Sequence, residues 1–236
     1  MRALVTAVAT MAALTLAPGM AGAVAIGQAD TFQDLTTDGW FAGGLGTGQV
    51  PPVPPQVIGS GGPSGTGDAF LQITAQGGRG PGSRLTAINA TQWTGNYLAA
   101  GIGSIGMDIR NLGSTDLTVR LLFEDPVGGP PADEAVTTFG ALLPAGTDWT
   151  HVVFPVSATD LTAVSGTTST LLSQVTLLRI IHSPTADDAV PVTGALGVDN
   201  ITAAAVPEPA SLVLIASALL GCLGLSRARA AKDLTG

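Results

Sequence analysis

Two histidines, His151 and His182, one cysteine, Cys222, and a scatter of carboxylates are the side chains of this 236-residue sequence suited to acid–base, nucleophilic or metal chemistry. Their spacing assembles no familiar site. A serine triad is defined by geometry rather than chain order, yet no Gly-x-Ser-x-Gly elbow is present to raise the nucleophile. Two histidines without His-Glu-x-x-His spacing do not make a zinc site. Glu124-Asp125 and Asp133-Glu134 flank one loop, and a glycosidase needs two opposed carboxylates about 5–10 Å apart. In an acidic protein, acidic loop residues are ordinary, and Asp187-Asp188 reads the same way. No catalytic residue is therefore assigned. Trp40, Trp93, Tyr97 and Trp149 are the scarce large aromatics. Trp93 and Tyr97 lie in the loop-like stretch 92–98 and are the candidate sugar contacts. Trp40 and Trp149 suit a core, where aromatic burial contributes strongly to packing.

The charge balance narrows the partners. Between residues 24 and 205 there are five arginines, no lysine and fifteen Asp or Glu, a formal charge of −10 (five minus fifteen). Such a surface repels nucleic acid and anionic lipid, and suits calcium or neutral sugar chains. Cys222 lies near the C-terminus, so the body has neither a disulfide nor thiol chemistry. Gly101-Ile102-Gly103-Ser104-Ile105-Gly106 precedes a strand rather than opening a helix, which removes it as a dinucleotide fingerprint.

The elements that would position these residues are strands. The 32 glycines and 16 prolines among 236 residues signal many turns. Ile105, Met107 and Ile109 alternate with polar neighbours, and Leu117, Val119, Leu121 and Phe123 do so after the turn at 111–114. This pattern predicts an antiparallel hairpin with one buried face. Further strands are expected at 30–34, 56–59, 68–74, 84–89, 135–143, 149–156, 175–182 and 196–203, with a surface loop at 43–67 and one helical turn at 160–164. Nine or ten short strands without a convincing helix imply an all-β antiparallel β-sandwich.

The two ends read differently. Residues 1–25 form an expected signal peptide: Arg2, an apolar run from Leu4 to Leu16, and small-x-small cleavage patterns ending at Ala23 and Ala25. The body occupies 26–205. Val206-Pro207-Glu208-Pro209 precedes an uncharged run and then Arg227 and Arg229. Both prolines fix φ and push the preceding residue to an extended conformation. The sixteen residues Ala210 to Leu225 would form a helix roughly 24 Å long, just short of a bilayer core. Pro209 and Ser226 bring it into range, so a transmembrane helix is expected at 210–226. The basic tail at 227–236 would be cytoplasmic and the body outside.

This order of features resembles the PEP-CTERM sorting signal of Gram-negative bacteria. The resemblance implies recognition and processing by an exosortase-type membrane protease after export through the Sec machinery. It also implies an inner-membrane-anchored precursor that later reaches the cell surface or extracellular matrix, often beside exopolysaccharide or biofilm. The chain continues past Arg229 through 230–236, longer than the usual stub. The body, through Trp149-Thr150-His151-Val152-Val153-Phe154-Pro155 and Val198-Asp199-Asn200-Ile201, resembles jelly-roll modules of the galactose-binding-like and carbohydrate-binding kind. That likeness implies a polysaccharide partner and a structural calcium where the first and last strands meet, with Asp30 and Asp199 as its ligands. The function expected is a non-enzymatic structural or interaction role in an exopolysaccharide matrix. The alternatives are a carbohydrate-binding module and, behind it, a secreted glycoside hydrolase.

Overall fold

The computed structural model describes residues 23–43, 50–126 and 128–205. The sorting residues Val206, Pro207, Glu208 and Pro209, the span at 210–226, the arginines Arg227 and Arg229, and nearly all of the leader lie outside them. No helix among the described residues is long and apolar enough to cross a membrane.

Thirteen strands are found among the described residues: β1 (Ala29–Asp30), β2 (Trp40–Phe41), β3 (Gln56–Ile58), β4 (Phe70–Gln76), β5 (Thr86–Asn89), β6 (Ile102–Asn111), β7 (Leu117–Glu124), β8 (Glu134–Thr137), β9 (Ala141–Leu143), β10 (Thr150–Pro155), β11 (Leu161–Ser165), β12 (Leu177–His182) and β13 (Thr193–Ala205). One short α-helix, α1 (Thr168–Leu172), and a single 3-10 turn at Pro81–Ser83 interrupt them. All pairings are antiparallel. Sheet A has the order β10-β6-β13-β4-β3, with β1 beside β13; sheet B has the order β11-β8-β7-β12-β5-β2, with β9 beside β7. The all-β sandwich expected from the turn-rich, alternating sequence is the fold observed.

Period-two alternation builds the core. Ile105, Met107 and Ile109 of β6, Leu71 and Ile73 of β4, and Val198 of β13 point inward from sheet A. Leu121 and Phe123 of β7 and Leu178 and Ile180 of β12 meet them from sheet B. The pattern did not reveal pairing. β6 and β7 do not form the predicted hairpin: β6 pairs with β10 and β13, whereas β7 pairs with β8, β9 and β12. Alternation says which face is buried and is silent about the neighbour, so it fits a crossover between sheets equally well. The Asn111 amide holds that crossover by donating to the carbonyls of Thr115, Leu143 and Pro144.

Other boundaries shifted for local reasons. The strand expected at 30–34 stops at Asp30 because Phe32 and Leu35 take positive φ. The strand expected at 135–143 is divided into β8 and β9. Arg120 fills the gap, donating to the carbonyls of Thr137, Thr138 and Ser183. A Cβ at Gly140 would lie 2.7 Å from its guanidinium carbon, so only glycine passes there. The helical turn expected at 160–164 is strand β11, and the helix comes later, at α1.

The sheets are joined through a buried carboxylate. Asp30 stands on β1 of sheet A, and its Oδ2 accepts the indole N–H of Trp40, on β2 of sheet B, at 2.7 Å. The Trp93 indole donates to the same oxygen at 2.7 Å, and Gln92 Nε2 donates to Oδ1 at 3.3 Å. Burial raises the Asp30 pKa, and the three N–H donors pull it back. An orphaned buried donor costs roughly 1–3 kcal/mol. Asp30→Ala strands two indoles and is expected to lower unfolding free energy by about 2–5 kcal/mol. Urea denaturation followed by tryptophan fluorescence checks this; a loss below about 1 kcal/mol would show the link to be dispensable.

Candidate functional site

Outward-facing residues of sheet B form a row across its strands: Phe41, Ile88, Arg179, Leu122, Val136 and Thr162, linked by cross-strand register. The far half of this face is roofed by the segment after β12, where Ala189 and Ala186 pack on Leu122, Val136 and Ile181. The near half has no such roof among the described residues. There a cleft of about 530 Å³ has Thr86, Ile88 and Arg179 on the sheet and the turn from Gly78 to Arg84 beside it. That volume falls in the range of small-molecule sites. Pro191 closes one end, held by an antiparallel bridge to Arg84.

Three guanidinium groups, Arg79, Arg84 and Arg179, line the cleft. Arg84 Nη1 lies 3.2 Å from Asp188, both side chains being well exposed. Arg179 Nη2 lies 2.7 Å from Glu124 Oε2, and the buried Nε of Arg179 has no hydrogen-bond partner. Glu124 stands diagonally behind Arg179 on β7 and is directly opposite Glu134. Burial pushes the Glu124 carboxyl up to about 7 against the pull of Arg179. Phe41 ends the row with 45% of its surface exposed. Its neighbour Trp40 is fixed inward by Asp30, so strand alternation turns Phe41 outward.

The outer face of sheet A carries a second polar patch. His151 Nδ1 lies 2.8 Å from Asp108 Oδ1, and Asn200 Nδ2 donates to Asp108 Oδ2 at 2.7 Å. Trp149 lies partly exposed with its ring edge-on to Phe70 at 5.2 Å and its Nε1 donating to the Gly61 carbonyl. A Cβ on Gly197 would meet the Trp149 ring at 2.9 Å, so glycine there lets the ring lie on the sheet. The expectation of Trp149 in the core is corrected: its strand parity puts it outside.

The candidate sugar contacts are also corrected. Trp93 and Tyr97 are 0% exposed. Trp93 is held by Asp30, while Tyr97 donates its hydroxyl to the Trp93 carbonyl at 2.8 Å and meets Phe123 edge-on. The stretch that looked like a surface loop plugs one end of the sandwich. Phe41 is an exposed aromatic on the row beside the cleft, and alternation after a buried Trp40 was the signal for its exposure.

The calcium ligands do not come together as a site. Asp30 faces the core, its oxygens occupied by N–H donors. Asp199 pairs across the outer face with Asp108. Its Oδ1 accepts the Asn200 N–H, and its Oδ2 is buried without a hydrogen-bond partner. No group of three or more His, Cys, Asp or Glu side chains is arranged to hold a metal among the described residues. Hard cations need six to eight oxygen ligands, which this pair does not begin to supply. The hydrolase alternative meets a similar obstacle. Glu124 is only 3% exposed and tied to Arg179, and neither it nor Asp125, Asp133 or Glu134 lines the cleft.

Burial pushes Asp199 up to about 7 as well, from an ordinary value of 3.8, while Glu124 starts from 4.5. Across that interval the folded chain keeps protons that the unfolded chain has released. The stability contributed by both groups is therefore complete below about pH 4 and is lost as pH rises through 7. Melting temperature is expected to fall between about pH 5 and pH 8. Glu124→Gln should flatten that slope; an unchanged slope would mean Glu124 ionises normally.

Residues 205–229 match the family model described as the PEP-CTERM protein-sorting motif. A search of curated proteins returned no match. Among solved structures, a family 11 carbohydrate-binding module from Clostridium thermocellum, in complex with a beta-1,3-1,4-mixed-linked tetrasaccharide, is 15% identical. That alignment covers 78% of this chain and 99% of the module, with a TM-score of 0.50. A solution structure of CtCBM11 is 13% identical over 78% of this chain and 98% of that one, with a TM-score of 0.51. An exo-beta-agarase is 13% identical over 78% of this chain with a TM-score of 0.52, but only 26% of the agarase is covered, so this chain matches about a quarter of it. The chain carries a PEP-CTERM sorting motif at residues 205–229 behind a body that has the two-sheet fold of these carbohydrate-binding structures.

Proposed function

We propose that this is an exported, non-enzymatic protein of the cell surface or exopolysaccharide matrix that works by binding polysaccharide in the open half of sheet B. The cleft of about 530 Å³, with Phe41 exposed at the end of the same cross-strand row, carries this reading. A pyranose ring presents an apolar face that stacks on an aromatic side chain, while hydroxyls find the Thr86 side chain and the guanidinium donors. The tetrasaccharide bound by the family 11 module points the same way, although that protein shares only the fold. Phe41→Ala is expected to weaken retention in polysaccharide-containing affinity gels at least tenfold while leaving the melting temperature nearly unchanged. Equal retention by variant and parent on every polymer tried would remove the cleft from the account.

The address follows from the tail. The precursor would be anchored by residues 210–226 and cut near Pro207-Glu208-Pro209 by an exosortase-type protease after Sec-dependent export. The two cleavage patterns of the leader are unequal in their cost. Val24 is 4% exposed in the core, and its N–H donates to the Thr94 carbonyl at 2.7 Å. A cut after Ala25 would discard this contact, whereas a cut after Ala23 keeps it. Intact-mass measurement of the exported protein is expected to give an N-terminus at Val24 and loss of the tail. Pro207→Ala with Pro209→Ala should leave the tail attached; normal maturation of the double variant would refute processing at this segment.

A further inference from the structure

The arginines in the cleft select one class of saccharide. Between residues 24 and 205 acids outnumber arginines fifteen to five, and lysine is absent. Three of those five arginines line one cleft, and no Asp or Glu lines it among the described residues. The other two are spent elsewhere. Arg120 is buried and donates to three backbone carbonyls. Arg110 lies on sheet A, 3.5 Å from Asp148. A site for neutral sugar would not need most of a scarce cation concentrated in it.

The three side chains keep capacity for a ligand. Arg79 is exposed and makes no ion pair among the described residues. The Arg84–Asp188 pair is solvent-exposed, and such pairs are weak and exchange readily. Arg179 is paired with Glu124, and 27% of its side-chain surface stays exposed. A guanidinium presents a planar fork of donors that matches a carboxylate in two parallel bonds. Ile88, on the floor, and Phe41 beyond it supply an apolar side for a sugar ring.

We infer that the cleft binds an acidic saccharide, a uronate residue within a polysaccharide, whose carboxylate is received by Arg79, Arg84 and Arg179. This rests on the carbohydrate reading above and narrows it. General charge attraction does not supply the binding, because the protein carries a formal charge of −8 and repels an anionic polymer at long range. The contact has to be local.

The test uses the full-length protein with polygalacturonate, alginate and hyaluronate, each beside its carboxyl-reduced, neutral counterpart. Affinity gel electrophoresis is expected to show at least one acidic polymer bound tenfold or more tightly than its reduced form. Arg79→Gln and Arg84→Gln, both at exposed positions, should each weaken that binding at least fivefold with unchanged melting temperature. Equal binding of acidic and reduced polymers, with Phe41→Ala still weakening both, overturns the acid selectivity and leaves the carbohydrate reading standing. Acidic binding indifferent to both arginine substitutions overturns the site. No binding to any of the six polymers overturns the inference and counts against the carbohydrate reading too.

Discussion

One carboxylate oxygen with two indole N–H groups aimed at it holds the near end of this sandwich together. Asp30 comes from sheet A, Trp40 from sheet B, and Trp93 from the segment that closes the end between them. β1 and β2 are each only two residues long, too short to be fixed by ladder hydrogen bonds alone. The buried polar contact supplies what length does not. Removing its acceptor would leave donors without water or partner, and that asymmetry makes such a contact strong. The same contact reaches the surface, because fixing Trp40 inward obliges Phe41 to face out.

The two outer faces have diverged under one constraint. Each sheet must bury its alternate residues, so the outward positions are free to carry polar function. Sheet A uses them for an aspartate-rich patch around Asp108, Asp199 and Asn200. Sheet B gathers arginines instead, and keeps its acids behind or beside the cleft rather than within it. Glu124 orients Arg179 from the next strand, a second layer that costs ionisation, since burial holds that carboxyl near neutrality. The protein is acidic as a whole and basic at one place.

What the amino-acid order discloses is the face and not the neighbour. Alternation in β6 and β7 correctly identified Ile105, Met107, Ile109, Leu121 and Phe123 as core, yet the hairpin drawn from it was wrong because both sheets reward the same pattern. The gap between β8 and β9 was illegible because its cause, the Arg120 guanidinium, arrives from β7. Trp93 and Tyr97 misled because a polar, turn-like context hid their burial beneath the end of the sandwich. The arginine cleft depends on residues 79, 84 and 179, the last separated from the others by about half the body, and no local spacing announces it. The sorting motif was fully legible because its meaning is linear: order and composition along the chain, without tertiary contact.

β13 is the last strand among the described residues, yet it sits at the middle of sheet A, with β6 along one side and β4 and β1 along the other. A ribosome makes the chain from its N-terminal side toward its C-terminal side. The five other strands of sheet A are therefore made before the strand that joins three of them exists. Sheet A stays unzipped until residue 205 is free, and only then can the two halves close on it. β13 ends at Ala205, where the sorting motif begins, so a chain cut before β13 lacks both the joining strand and the motif.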